Sequence, residues 1–361
     1  MEKHFFAGTN ASVGFYSYFD HILSPKDADR IYILKGGPGV GKSSFMKKAA
    51  GFFKQKGIFL EYIHCSTDYN SLDGIHVPDY KLMMIDGTAP HVVEPMLPCL
   101  VDEILDFGKY LKRDSLLEHR DKIIEISQEK SDFYKSGYRN LKMAGIILEE
   151  ISDIYSVLTN SNKRCIIEKS LILDLDQLLR KVELSNKSGK VRKMFSDSYT
   201  PDGYFSFIDK LSKGKEVWEV VSPNYKDGSQ LLQKVVSNIT IRGFNVEGYY
   251  NPLFPEKLQH IYIKELNLII MSTDVEQEGK ADKVYPIYEA ISKDGLEGSK
   301  ADLEKSKKLL DSLLENGMNR FKEAKAKHEV LEKIYIKSMD FDKVDFLYER
   351  IIDEYEWFLI H

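Results

Sequence analysis

Two kinds of hydrophobic pattern alternate along this chain. Short apolar, β-branched runs at Ile31–Leu34, Ile58–His64 and Leu82–Ile85 are closed by polar residues, the pattern of strands buried on both faces. Longer stretches repeat apolar positions three, four and seven residues apart. The proline-free segment 114–157 carries such a stripe in Tyr134, Tyr138, Leu141, Leu148, Ile151 and Tyr155, which predicts one long amphipathic helix. Thr159–Asn162 breaks the pattern, and Cys165–Val182 predicts a second helix folding back as a hairpin, about 114–183 in all. The plan returns near the C-terminus. A charged helix from Lys300 to Lys337, a break at Ser338–Asp340 and a helix from Lys343 to Phe358 predict a second hairpin, about 300–358. The run Lys322–Lys327 reads as a solvated face of that helix.

The recurrence extends to the whole chain. Gly14–Asp20 (GFYSYFD) returns as Gly203–Asp209 (GYFSFID), and Phe6 matches Phe195 at the same offset of 189 residues. At an offset of 186 residues Ile31–Leu34 falls on Val217–Val220, Gly57 on Gly243, and Leu82–Ile85 on Leu268–Met271. Phe45, Met46, Ala49 and Phe53 meet Leu231, Leu232, Val235 and Ile239 in the helix between. The expected architecture is therefore α/β and internally duplicated, each half a mainly parallel sheet with a long helical hairpin. Residues 1–187 form the first unit and 188–361 the second, with Leu184–Arg192 as the linker and the boundary near Lys187.

The copies part at one place. Between the first strand and its helix stands G-x-x-x-x-G-K-S, the phosphate-binding loop (Walker A) pattern in the context that pattern requires. Candidate ligand-binding residues are Gly36, Gly37, Pro38, Gly39, Val40, Gly41, Lys42, Ser43 and Ser44. The glycines let successive N–H groups turn inward as an anion nest. Lys42 would meet the β- and γ-phosphates, the Ser43 hydroxyl would ligate Mg²⁺, and the helix N-terminus adds its dipole. Asp86, closing Leu82–Ile85, is the candidate Walker B carboxylate, a second metal-side group and a catalytic one alongside Lys42; Asp86-Gly87-Thr88 also reads as a turn leaving a strand. No glutamate follows Asp86, so the water-orienting group is open among His64, Cys65, Ser66, Thr67, Asp68, His91 and Glu94. In the second copy the loop becomes Ser222-Pro-Asn-Tyr-Lys-Asp-Gly-Ser229, with Gly228 opposite Lys42 and Ser272 opposite Asp86. That copy predicts a kept fold and a lost site.

Composition narrows the class. The 361 residues carry 51 basic and 56 acidic side chains, a net charge of −5, which favours no polyanion such as nucleic acid. No apolar run approaches the ~20 residues needed to span a bilayer. Cys65, Cys99 and Cys165 form no CxxC pair, and with the short apolar N-terminus they lead us to expect a reduced, cytoplasmic setting. The guanine-reading string Asn-Lys-x-Asp does not occur, so ATP is the expected nucleotide.

His4–Gly8, Gly14–Ser17, Gly36–Ser43, Asp86–His91 and Asp340–Lys343 together resemble a family of uncharacterised bacterial ATPases of low-GC Gram-positive organisms. The resemblance spans nearly the whole chain and implies two tandem P-loop NTPase domains. Members commonly keep a recognisable loop in both halves, and this chain does not. The expected function is an Mg-ATP-binding ATPase coupling nucleotide state to movement of the helical hairpins or to a protein partner docked on them. Phosphoryl transfer to a small acceptor and a non-hydrolysing nucleotide-gated module are the alternatives.

Overall fold

The computed structural model describes residues 2–180, 182, 187–277 and 279–360, with side chains up to 356. The first half runs β1 (Glu2–Phe6), β2 (Gly8–Ala11), β3 (Gly14–Ser17), β4 (Arg30–Lys35), α1 (Lys42–Gln55), β5 (Leu60–His64), β6 (Leu72–Val77), β7 (Leu82–Asp86) and β8 (Asp102–Asp106). It ends in α2 (Arg113–Leu117), α3 (Arg120–Leu158) and α4 (Ser161–Leu179). The second runs β9 (Val191–Met194), β10 (Asp197–Thr200), β11 (Gly203–Ser206), α5 (Ile208–Ser212), β12 (Glu216–Val221), α6 (Tyr225–Ile241), β13 (Val246–Tyr250), β14 (Leu258–Ile263), β15 (Leu268–Thr273) and β16 (Lys283–Pro286). It closes with α7 (Lys293–Gly298), α8 (Lys300–Lys337) and α9 (Phe341–Ile360). Part of the expected linker, Leu184–Asn186, lies outside the described residues.

Each half builds a six-stranded sheet of the same order, β8-β4-β7-β6-β5-β1 and β16-β12-β15-β14-β13-β9. The strands at Ile31 and Val217 thus hold equivalent places, second from one edge. Both sheets are parallel except at one strand, β6 in the first and β14 in the second, which runs against both neighbours. Alternation along β4 explains its burial on two faces: Tyr32 and Leu34 pack with α1, while Ile31 and Ile33 join the core shared with the second half.

A pseudo-two-fold axis relates the halves. Phe6 and Phe195 exchange backbone hydrogen bonds of 2.9 Å in each direction, and the Thr9 and Ser198 hydroxyls meet at 3.0 Å. Crossed ion pairs flank the axis, Lys3 with Glu247 at 2.7 Å and Arg192 with Glu61 at 2.5 Å. Residues matching in sequence therefore touch one another in space.

The helical part departs from the hairpin expectation. The stripe on α3 packs not against α4 but against α8, antiparallel, as the bridges Leu111–Met339 and Thr159–Ile291 at its two ends require. Gly137 faces the Phe321 ring and Gly317 faces Leu141, so a small residue on each helix receives a large one from the other. The return helices are exchanged. Leu171, Leu175 and Leu179 of α4 enter the core of the second sheet, and Val344, Leu347, Ile351 and Tyr355 of α9 enter that of the first, beside α1. An amphipathic stripe specifies a buried face without naming its partner, and the antiparallel partner supplied by the duplication covers it. The first long segment also breaks at Glu118–His119, so α2 is separate from α3, and α4 starts at Ser161 because Asn160 caps it. No helix among the described residues is long and apolar enough to cross a membrane.

Candidate functional site

The loop after β4 carries Gly39 at φ 71° and Gly41 at φ 92°, left-handed values that favour glycine. Val40 is wholly buried between them, and its side chain fills the space against Gly36 that a Cβ there would need. Pro38 is half-buried and Ser44 is exposed. Gly41 is the N-cap of α1, with no side-chain cap and no acid in the first turn, so the dipole end is not compensated by a neighbouring carboxylate of its own turn.

Three polar groups converge there. The Lys42 ammonium donates to the carbonyls of Gly36 at 2.7 Å and Gly37 at 3.0 Å, and stands 3.6 Å from Asp86 Oδ2. Asp86 uses Oδ1 to accept from the Thr88 N–H, and the Thr88 hydroxyl donates to the Gly36 carbonyl at 3.0 Å, tying the turn after β7 to the loop. Ser43 Oγ accepts from the Leu72 N–H at 3.0 Å, which anchors the start of β6 to α1. Adjacent parallel strands and the start of α1 thus bring Lys42 and Asp86 together, while the Ser43 hydroxyl is turned to the start of β6.

The second half covers this loop. Tyr335 lies against Gly37, the Glu332 carbonyl and Ile336 against Gly39, and Phe341 against Gly41. Glu332 is held below the ordinary carboxylate range, chiefly by His328, with Lys42 contributing. Lys130 of α3 faces Glu332, and burial pushes its ammonium down. Lys325 of α8 reaches Asp68 at 3.5 Å and Asp202 at 3.3 Å. These residues from α3 and α8 were not legible as site neighbours, because the helix exchange that brings them is not written in local pattern.

The open candidates sort by position. His64 is fixed between His4 Nδ1 at 2.8 Å and the Tyr69 carbonyl at 2.6 Å, its ring tilted against that of Phe207, and burial pushes its imidazole down to about 4; it belongs to the contact between halves. Burial pushes the Cys65 thiol up, with Asp73 adding to it. Thr67 meets the Tyr134 hydroxyl at 3.4 Å, and Ser66 is buried. Glu94 pairs with Lys35 at 2.7 Å on the exposed side. His91 and the unforeseen Asp73 are both buried, 3.3 Å apart between Nε2 and Oδ2. Asp73 carried no local signal in the sequence, because LDGIHV, with an acid, a glycine and a histidine, does not show itself as a buried strand.

The equivalent loop in the second half is filled. There α6 begins at Tyr225, inside the region matching the glycine loop, because the Asn224 side chain accepts from Lys226 N–H at 3.1 Å and caps it. A Cβ on Gly228 would lie 1.9 Å from Ser272 Oγ, so no longer side chain fits where Lys42 stands in the first copy. Asp227 pairs with Arg164 of α4, Asn224 donates to Ser156 of α3 at 3.0 Å, and Lys226 pairs with Asp153 at 2.6 Å. An added helical turn and its ion pairs occupy the loop.

The residues of the first site suit a magnesium ion carried in by phosphate. Ser43 offers a hydroxyl oxygen and Asp86 an oxygen, Oδ2, not used by Thr88, while no group of three or more His, Cys, Asp or Glu among the described residues could hold a metal by itself. Comparison of the chain with protein-family models, with curated proteins and with solved structures finds no match in any of the three.

Proposed function

We propose that the chain binds one Mg-ATP at Gly36–Ser44 and hydrolyses it, and that α8 and α9 carry the nucleotide state away from the site. The observation supporting this is the asymmetry of two copies with one architecture. The first keeps a glycine loop with Lys42 3.6 Å from Asp86, and the second has replaced the loop by a capped helical turn. In this reading the loop N–H groups and the end of α1 hold the phosphate oxygens. Lys42 exchanges its bonds to the Gly36 and Gly37 carbonyls for the β- and γ-phosphates. Magnesium would sit by Ser43 and Asp86, where it neutralises charge on the phosphates.

Coupling follows from what rests on the loop. Because Tyr335, Ile336 and Phe341 pack on Gly37, Gly39 and Gly41, a change in the loop moves the end of α8 and the start of α9. The antiparallel α3–α8 pair carries that displacement to the filled site, where α3 ends. A protein partner docked on this helix pair would sense it.

The test is thermal stabilisation by Mg-ATP. At a ligand concentration of 100 Kd the wild type gains ~2.7 kcal/mol, and Lys42→Ala gains none while keeping its circular dichroism. Undiminished stabilisation of the variant would place the triphosphate elsewhere. Phosphate release with ATP alone separates hydrolysis from transfer to an acceptor.

A further inference from the structure

The hydrolysis reading leaves the attacking water without a base, and one buried pair beside the loop leaves side-chain polar atoms unsatisfied. His91 Nε2 lies 3.3 Å from Asp73 Oδ2, off the line of a hydrogen bond, and neither that oxygen nor His91 Nδ1 has a hydrogen-bond partner. Both residues are more than nine-tenths buried, with 8% of His91 and 4% of Asp73 exposed. A buried polar pair left unsatisfied costs stability, and active-site hydrogen bonds are commonly loose until substrate arrives.

Its location is fixed from two sides. Asp73 follows Leu72, whose N–H donates to Ser43 Oγ. His91 closes the turn that begins at Asp86: its N–H donates to the Thr88 carbonyl, and Thr88 itself donates to Asp86 and to the Gly36 carbonyl. The rings of Phe15 and Phe19 meet the imidazole edge-on at 4.7 and 5.3 Å and hold it against β6. The second copy, which lost Lys42 and Asp86, has Gln259 at the position of Asp73, an amide that cannot serve a proton acceptor in this way.

Resting on the function proposed above, we infer that Asp73 and His91 are the base of the hydrolysis, Asp73 orienting the imidazole and His91 taking the proton of the attacking water. The water oxygen bonds to the γ-phosphorus as the bond from phosphorus to the bridging oxygen breaks. ADP leaves with that electron pair. The water proton passes to Nδ1 while Nε2–H turns to Asp73, and the imidazolium then returns its proton to released phosphate or solvent. The charged groups facing His91 are Asp73 of β6, Asp86 of β7 and Lys42 of α1. Burial pulls the imidazole down, but Asp73 outweighs it, with Asp86 in support, and the net shift is upward.

The experiment compares wild type, His91→Gln, His91→Ala and Asp73→Asn in phosphate release across pH, and in calorimetric binding of a non-hydrolysable ATP analogue with Mg²⁺. The expected result is wild-type kcat falling on the acid side as the imidazole protonates. His91→Gln should lose ~100-fold in kcat or more, with no acid limb and analogue affinity unchanged within about threefold. Imidazole added to His91→Ala should restore part of the rate. A His91→Gln rate within a few-fold of wild type overturns the inference and leaves the nucleotide site standing. Parallel loss of rate and affinity in His91→Gln and Asp73→Asn assigns the pair a structural role and overturns it too. Wild-type protein that does not bind the analogue refutes the nucleotide site itself.

Discussion

Gly39 shows most sharply how single residues couple the loop to the rest of the molecule. Its φ of 71° is strained for any other residue, and a Cβ there would lie 2.7 Å from the backbone carbonyl of Glu332. Gly39→Ala should therefore destabilise the fold by ~1–3 kcal/mol, read as a lower urea midpoint, because the obstruction is helix backbone rather than a flexible side chain. An unchanged midpoint would mean that α8 does not rest on the loop. The loop was legible as a candidate because a phosphate-binding nest would need glycines at fixed spacing, and Lys42, Ser43 and Asp86 were singled out by the same reasoning. Asp73 was not, since Leu72–Val77 includes Asp73, Gly74 and His76 and does not read as a strand. Gly74 is needed there, as a Cβ would come 2.9 Å from the Met84 carbonyl on the neighbouring strand.

At the scale of elements the governing contact is the α3–α8 crossing. A Cβ on Gly137 would sit 2.4 Å from the Phe321 ring, whereas one on Gly51 in α1 meets nothing within 4 Å. Gly137→Leu should cost ~1–3 kcal/mol through overpacking, and Gly51→Ala should add ~0.5–1 kcal/mol by helix propensity. Chemical denaturation of both variants checks the pair, and a neutral Gly137→Leu would contradict close packing at the crossing. The helices themselves were visible in the periodicity, with α8 expected over Lys300–Lys337 and found there. The exchange of α4 and α9 between sheets was not, because periodicity records which face is buried and is silent about what buries it. The antiparallel β6 and β14 were hidden for a different reason: LDGIHV and LQHIYI are interrupted by polar residues, so neither segment forms the apolar run that marks a strand buried on both faces.

Across the whole molecule, the contact between halves carries its own pH signature. Glu61 is buried at the axis, where burial alone would raise its carboxyl; Lys3 and Arg192 outweigh it and hold the group well below the ordinary range. A carboxylate with a depressed folded pKa stabilises at pH above its unfolded value, about 4.3, and that contribution drains away as pH falls towards the folded value. Glu61→Gln should flatten this acid limb of stability. Glu61→Ala at neutral pH should cost ~3 kcal/mol or more by leaving Arg192 without its main partner, and melting curves between pH 3 and pH 7, as an order-of-magnitude window, compare the variants. Equal acid sensitivity in wild type and Glu61→Gln would remove the pair from the account.

The two-fold frame was legible in the matched strings at Phe6 and Phe195, yet their direct pairing was not, because an internal repeat gives correspondence without contact. What the frame makes possible is a comparison within one chain: the same sheet order, the same helix after the same strand, and a glycine loop in only one copy. Calorimetric titration with a non-hydrolysable ATP analogue and Mg²⁺ tests this directly. The account predicts a stoichiometry near one per chain, abolished by Lys42→Ala and untouched by Ser229→Ala. A stoichiometry near two, or binding that survives Lys42→Ala, would contradict it.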